Sequence, residues 1–342
     1  MTGSPASAAV LGKVPWHAEF LRGSQLSAEL WAFDQWLFRN DQSPRVPPPR
    51  LTPPRSSEHT TPPSAGVPSD VPSPRSTTPP STDVAYGFLL QLGPSSAVPS
   101  AVAGILSPSR DLAGRSYPLA IAGHVALARD VAAHPEILPI VLEDYWHTAI
   151  DILKEARDGP PVGDDWRLER LSQAPLESGE SALALYVEWA ERMGVPQLCS
   201  LLGRPPDWLA GAVAAIARAV DPKGGARVRA VRVPLGLAAG SALCFWLDVV
   251  RRAAGWQRHV PSFFWSHDER GGDALLFVAE PGDSALATLW GGGAPSGDVC
   301  DISAQVDGTP PRLATPPSAD GTEDGVWRVL ESVEALVKAQ TT

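Results

Sequence analysis

The chain has 342 residues, 44% of them apolar, and its 28 basic against 38 acidic side chains give a net charge of −10. That balance argues against nucleic-acid binding, which needs clustered Lys and Arg to neutralise phosphates. No apolar run reaches the roughly 18–20 residues that span a bilayer, no basic-then-apolar signal pattern opens the chain, and Cys199, Cys244 and Cys300 show no ligand-like spacing. The expectation is a cytoplasmic protein with no membrane insertion, metal or cofactor.

In chain order, Ser24 is placed to cap a helix running to about Phe38, with Leu30, Phe33, Trp36 and Leu37 on one side. Residues 43–82 follow, with thirteen prolines and fourteen Ser or Thr against five apolar residues. Such a stretch cannot bury enough surface to offset its ordering entropy, so it reads as a disordered or polyproline-like insertion. Val84 to Leu92 and Ala101 to Leu106 read as buried strands. Between them and the next helix lies Leu106-Ser107-Pro108-Ser109-Arg110-Asp111-Leu112-Ala113-Gly114-Arg115-Ser116-Tyr117-Pro118-Leu119. Pro108 pushes the residue before it toward extended backbone, Asp111 can bond its own turn, and Gly114 can take a positive φ. Tyr117, Leu119, Ile121 and Val125 would then share one strand face, with Ala120 and Ala122 opposite.

A long helix is expected from about Glu136 to Ala156, stopped by Gly159-Pro160-Pro161. Gly163-Asp164-Asp165 reads as a solvated loop. Helices are expected over 178–193, 206–220 and 240–254, and a strand over 227–233 whose alternation slips between Ala230 and Val231. Val260 to Trp265 and Ala274 to Ala279 form a hairpin around His267-Asp268-Glu269-Arg270-Gly271-Gly272. Gly291 to Gly293 open a looser tail, and a last amphipathic helix covers about 324–339. The fold class is α/β: a mixed β-sheet flanked by helices as a three-layer sandwich, without the regular βαβ repeat of a dinucleotide fold. Residues 8–290 form the main domain, interrupted by 43–82, and 291–342 form the tail.

Candidate chemistry is sparse. His17 with Glu19, and His267 with Asp268 and Glu269, are the clusters that suggest acid–base or metal work; no supporting nucleophile accompanies them. Side chains at i and i+2 on a strand would bring His17 and Glu19 together. No Walker loop, G-x-S-x-G or zinc spacing occurs. Asp111 and Arg115 read either as an ion pair that orders the turn or as a recognition surface. Trp16 and Trp265 read as core residues or as exposed anchors.

Three blocks carry a family resemblance. The 106–119 stretch resembles the S-x-D-x-x-G-R-x-[FY]-P-L signature of the TagF/ImpM family, accessory proteins of bacterial type VI secretion. Gly12-Lys13-Val14-Pro15-Trp16-His17-Ala18-Glu19-Phe20 is similar to that family's G-K-L-P-x-x-G-D-F opening, with Leu30-Trp31-Ala32-Phe33-Asp34-Gln35-Trp36-Leu37 after it. Pro261-Ser262-Phe263-Phe264-Trp265 and Ala274-Leu275-Leu276-Phe277-Val278 resemble its P-S-L-W-W…L-L-V strand pair. Two departures stand out: Ala18-Glu19 replaces the usual Gly-Asp, and the proline-rich stretch lies where the family is normally folded.

The resemblance implies a cytoplasmic, non-enzymatic regulator that binds a forkhead-associated (FHA) domain protein and represses assembly after translation. It implies partner binding through Lys13, Trp16, Glu19, Asp111, Gly114, Arg115 and Tyr117. The alternatives are a hydrolase or metal-dependent enzyme using His17, Glu19 and the His267 loop, and a structural adaptor that promotes assembly. Thr-Pro-Pro recurs at Thr52, Thr61, Thr78, Thr309 and Thr315, which reads as compositional drift or as phosphorylation sites for an FHA reader.

Overall fold

The computed structural model describes residues 7–22, 26–42, 84–92, 99–159, 164–220, 228–256, 259–266, 271–290, 298–303 and 325–340. Its centre is an eight-stranded sheet made of β1 (Ser7–Gly12), β2 (Tyr86–Leu90), β3 (Ser100–Ser107), β4 (Leu119–Ala126), β5 (Ala230–Pro234), β6 (Ser262–Trp265), β7 (Asp273–Phe277) and β8 (Val299–Asp301). The strand order is β1-β4-β3-β2-β6-β7-β5-β8. Every neighbouring pair is antiparallel except β5 and β8, which run parallel.

Side chains alternate across this sheet, and both faces are apolar, so both are covered. Leu89, Ala103, Ile105, Ile121, Phe263 and Leu276 point into the larger core. Phe88, Val102, Leu106, Ala122, Phe264 and Leu275 point into the smaller one. The smaller core is closed by α1 (Ala28–Gln42) and α10 (Ala285–Leu289). From α1, Leu30, Phe33, Trp36 and Leu37 are all buried there, and each such side chain contributes about 1.5–3 kcal/mol. The larger core is closed by α3 (Leu138–Val141), α4 (Glu143–Asp158), α6 (Gly179–Arg192), α8 (Trp208–Ala219), α9 (Ala239–Ala254) and α11 (Val326–Gln340). Among the other helices, α2 spans Arg129–Ala133, α5 Asp164–Ser172 and α7 Val195–Leu201. The result is the α/β sandwich expected, with helices on both faces of a mixed sheet. No helix among the described residues is long and apolar enough to cross a membrane.

Several elements depart from their sequence reading. The first helix starts at Ala28, and Ser27, whose Oγ accepts from the Leu30 N–H at 3.3 Å, takes the cap expected of Ser24. The long 136–156 helix is broken: a 3₁₀ turn (Pro135–Ile137) and α3 precede α4, with Leu142 at φ −102° and ψ 6° between them. Pro135 and Pro139 lie in this stretch, and neither can donate a helical hydrogen bond. Asp164 and Asp165 open α5 instead of lying in a loop. The tail supplies β8, which extends the sheet, and α11, whose Val326, Leu330 and Val333 join the larger core. Tyr117 precedes β4 and joins Ala120 and Ala122 in the smaller core, opposite Leu119 and Ile121. Its N–H donates to Ser109 O at 3.0 Å, so it belongs to the loop and not to the pleat. The proline-rich stretch 43–82, His267, Asp268 and Glu269, and all five Thr-Pro-Pro threonines lie outside the described residues.

Candidate functional site

The sheet itself brings the two most informative sequence blocks together. Because β1 pairs antiparallel with β4, Gly12 lies opposite Leu119. The loop leaving β1 and the loop entering β4 therefore emerge side by side. Gly12 sits at φ +116°, and a Cβ there would fall 1.9 Å from the Pro118 carbonyl oxygen. Only glycine fits that approach. The 13–20 loop closes on itself through Leu21, whose N–H donates to Gly12 O at 2.7 Å while Gly12 N–H donates back at 3.0 Å.

The second loop is a tight turn centred on Asp111. Gly114 takes φ +77°, its N–H donates to Asp111 O at 2.8 Å, and Asp111 N–H donates to Arg115 O at 3.0 Å. The Asp111 carboxylate is buried and accepts three bonds. The Arg115 N–H reaches Oδ1 at 2.8 Å, and Arg115 Nε and Lys13 Nζ reach Oδ2 at 2.7 and 3.0 Å. Burial alone would raise its pKa, but the Lys13 and Arg115 hydrogen bonds outweigh burial and hold it well below the usual carboxylate range. Arg115 also donates to the Ala18 carbonyl, and Leu112 N–H to His17 O at 3.4 Å, so the two loops form one corner.

Beside this corner lies an open groove of about 390 Å³, lined by Lys13, Ala18, Glu19, Phe20, Phe38, Asp41, Arg115, Ser116 and Tyr117. Phe20 and Tyr117 meet edge to face at 4.3 Å between ring centroids. Phe20 and Phe38 are 38% and 49% exposed, and Trp31, one heptad before Phe38 on α1, is 58% exposed. The Tyr117 hydroxyl is buried without a hydrogen-bond partner among the described residues. Burial, with the Asp34 and Asp41 carboxylates behind it, pushes its pKa up, so it stays protonated.

Lys13, Glu19, Arg115 and Tyr117 thus line the groove, and Asp111 and Gly114 shape the loop behind it. Trp16 is placed elsewhere: its indole N–H donates to Ala156 O at 2.8 Å, which ties the first loop to the end of α4. His17 and Glu19 lie in a turn, not a strand. The Glu19 backbone N–H donates to His17 Nδ1 at 3.1 Å, so the ring meets the backbone of Glu19 and not its carboxylate. No group of three His, Cys, Asp or Glu side chains suited to a metal occurs among the described residues. Cys199, Cys244 and Cys300 are free thiols, and burial pushes Cys199 up to about 11.

Sequence reasoning did not single out Phe20, Phe38, Asp41 or Ser116. The signal for Phe38 was present: with Leu30, Phe33, Trp36 and Leu37 assigned to the buried side, Trp31 and Phe38 remain seven residues apart on the other. The Lys13–Asp111 pair spans 98 residues and left no local pattern.

No family model matches the chain, and no curated protein matches it. Among solved structures, it is similar to PA0076 from Pseudomonas aeruginosa PAO1, at 13% identity and a TM-score of 0.41, over 85% of this chain and 96% of that one. A likeness of that size carries no argument about activity or partner.

Proposed function

We propose that this chain is a cytoplasmic, non-enzymatic accessory protein of type VI secretion, of the TagF/ImpM kind. In this reading it docks an FHA-domain protein through the corner groove and withholds that protein from assembly. What supports the reading is one observation. Two of the three sequence blocks that carry the resemblance, far apart along the chain, are joined by Lys13, Asp111 and Arg115 beside a single aromatic groove. Aromatic side chains with arginine at the rim are the residues that dominate binding energy at protein interfaces. A groove and two loops suit an interface of modest area, not an obligate one.

The chemistry of the lining favours binding over turnover. Asp111 is fully engaged by its three donors and Tyr117 is held protonated, so neither is poised to accept a proton from a substrate. The test is a pull-down from the native cell that compares wild type with the Asp111→Ala/Arg115→Ala double variant. The expected result is loss of the FHA-domain protein from the variant, together with a rise in secreted effector. Undiminished capture would reject the reading, and a fall in effector would turn the repressor into an adaptor that promotes assembly.

A further inference from the structure

We propose that the same groove also accepts a segment of its own chain, the arginine-bearing proline stretch 44–55 that follows α1. The proposal rests on the reading of the groove as a docking surface and adds a competitor for it. Position is the first argument. Helix α1 ends at Gln42, and Phe38 and Asp41 of its last turns line the groove. Pro44 is therefore only three residues beyond a lining residue, within about 10 Å of extended chain. A segment tethered so closely is present at an effective concentration on the order of millimolar, so even a weak contact is populated.

Chemistry is the second argument. The stretch Pro44-Arg45-Val46-Pro47-Pro48-Pro49-Arg50-Leu51-Thr52-Pro53-Pro54-Arg55 holds six prolines, three arginines and no acid. Proline-rich segments are partly ordered in advance as polyproline helices, and they dock on aromatic-lined grooves, with flanking arginine paired to a carboxylate. The groove presents Phe20, Phe38 and Tyr117 along its lining. The Glu19 side chain stands exposed at its edge, and its carboxylate makes no hydrogen bond or ion pair among the described residues.

An anionic occupant fits less well. Both cations of the lining, Lys13 and Arg115, already share the Asp111 carboxylate. Phosphate would have to compete with that buried acid for them. A cationic, proline-rich strand needs no such exchange.

Limited trypsin digestion of the full-length protein tests this, because cleavage after Arg50 and after Arg75 can be timed in one experiment. Cleavage tracks the undocked population, so the Arg50 site should be cut about tenfold more slowly than the Arg75 site. In Glu19→Lys and in Phe38→Ser the two rates should converge. Both substitutions are at exposed positions, and a thermal melt of each confirms the fold. Equal rates in the wild type, or protection at Arg50 that survives both substitutions, would overturn the proposal. Equal rates together with an intact pull-down would reject docking in cis alone. Protection together with a failed pull-down would reject the partner and keep the segment.

Discussion

Two acid-centred networks in this molecule look alike on paper and behave in opposite ways. At the corner, Asp111 is surrounded by donors that come from two loops. In the helical layer, Glu136 is also buried, and Arg251 Nε lies 3.0 Å from its Oε2. There burial dominates: it raises the Glu136 pKa, Asp248 raises it further, and Arg251 and the His134 contact offset it only in part. Oε2 and Arg251 Nε stand close without hydrogen-bond geometry. The neighbouring Asp248 is better satisfied, accepting from Tyr186 Oη at 3.1 Å, Arg251 at 2.7 Å and Arg252 at 2.8 Å. The difference teaches that several aligned donors hold the Asp111 carboxylate low, whereas a guanidinium near Glu136 without hydrogen-bond geometry does not offset its burial.

The comparison can be broken at its interior end first. Asp248→Ala would remove the carboxylate that Arg251 and Arg252, both mostly buried, share, and should cost about 3–5 kcal/mol in denaturant unfolding. A loss below about 1 kcal/mol would mean that water already shares that cluster. At the corner, Gly12→Ala places a methyl group against the Pro118 carbonyl at a positive φ, and should cost about 2 kcal/mol or more by the same measurement. Gly114→Ala, with positive φ but open space around it, should cost less.

The pH dependence sharpens the contrast further. The folded Asp111 pKa is depressed, so its contribution to stability is present above the unfolded value of about 3.9 and is lost as pH falls toward the folded one. The folded Glu136 pKa is raised, so its contribution favours the fold below the unfolded value of about 4.3 and is lost as pH rises through the folded one. Thermal melts across pH should therefore show Asp111→Asn flattening the acid limb. Glu136→Gln should flatten the limb on the alkaline side of the unfolded value. The smallest effect on stability belongs to Phe38→Ser, which should stay within about 0.5 kcal/mol of wild type because the ring is half exposed.

Much of the architecture was legible because it rests on periodicity. The apolar run Phe88, Leu89 and Leu90, the helical spacing of Leu30, Phe33 and Leu37, and the hairpin 262–277 are each written into a short stretch of chain. Short elements with weak period were not: β1, α7, α10 and β8 form because neighbours distant in sequence complete them. The turn at Asp111 was readable from Pro108, Asp111 and Gly114, each with its own backbone preference. The groove was not, since Lys13, Phe20, Phe38 and Tyr117 meet only after β1 has paired with β4. Trp16 shows the reverse error, an aromatic beside a functional-looking loop whose indole is a structural tie to α4.

The most direct test of the central claim is a titration of the purified FHA-domain protein of the same cell against wild type and Phe38→Ser, at equal thermal stability. If the corner groove is the docking surface, wild type binds, and loss of this one ring weakens binding at least tenfold, about 1.4 kcal/mol. Equal affinities for the two proteins would contradict it.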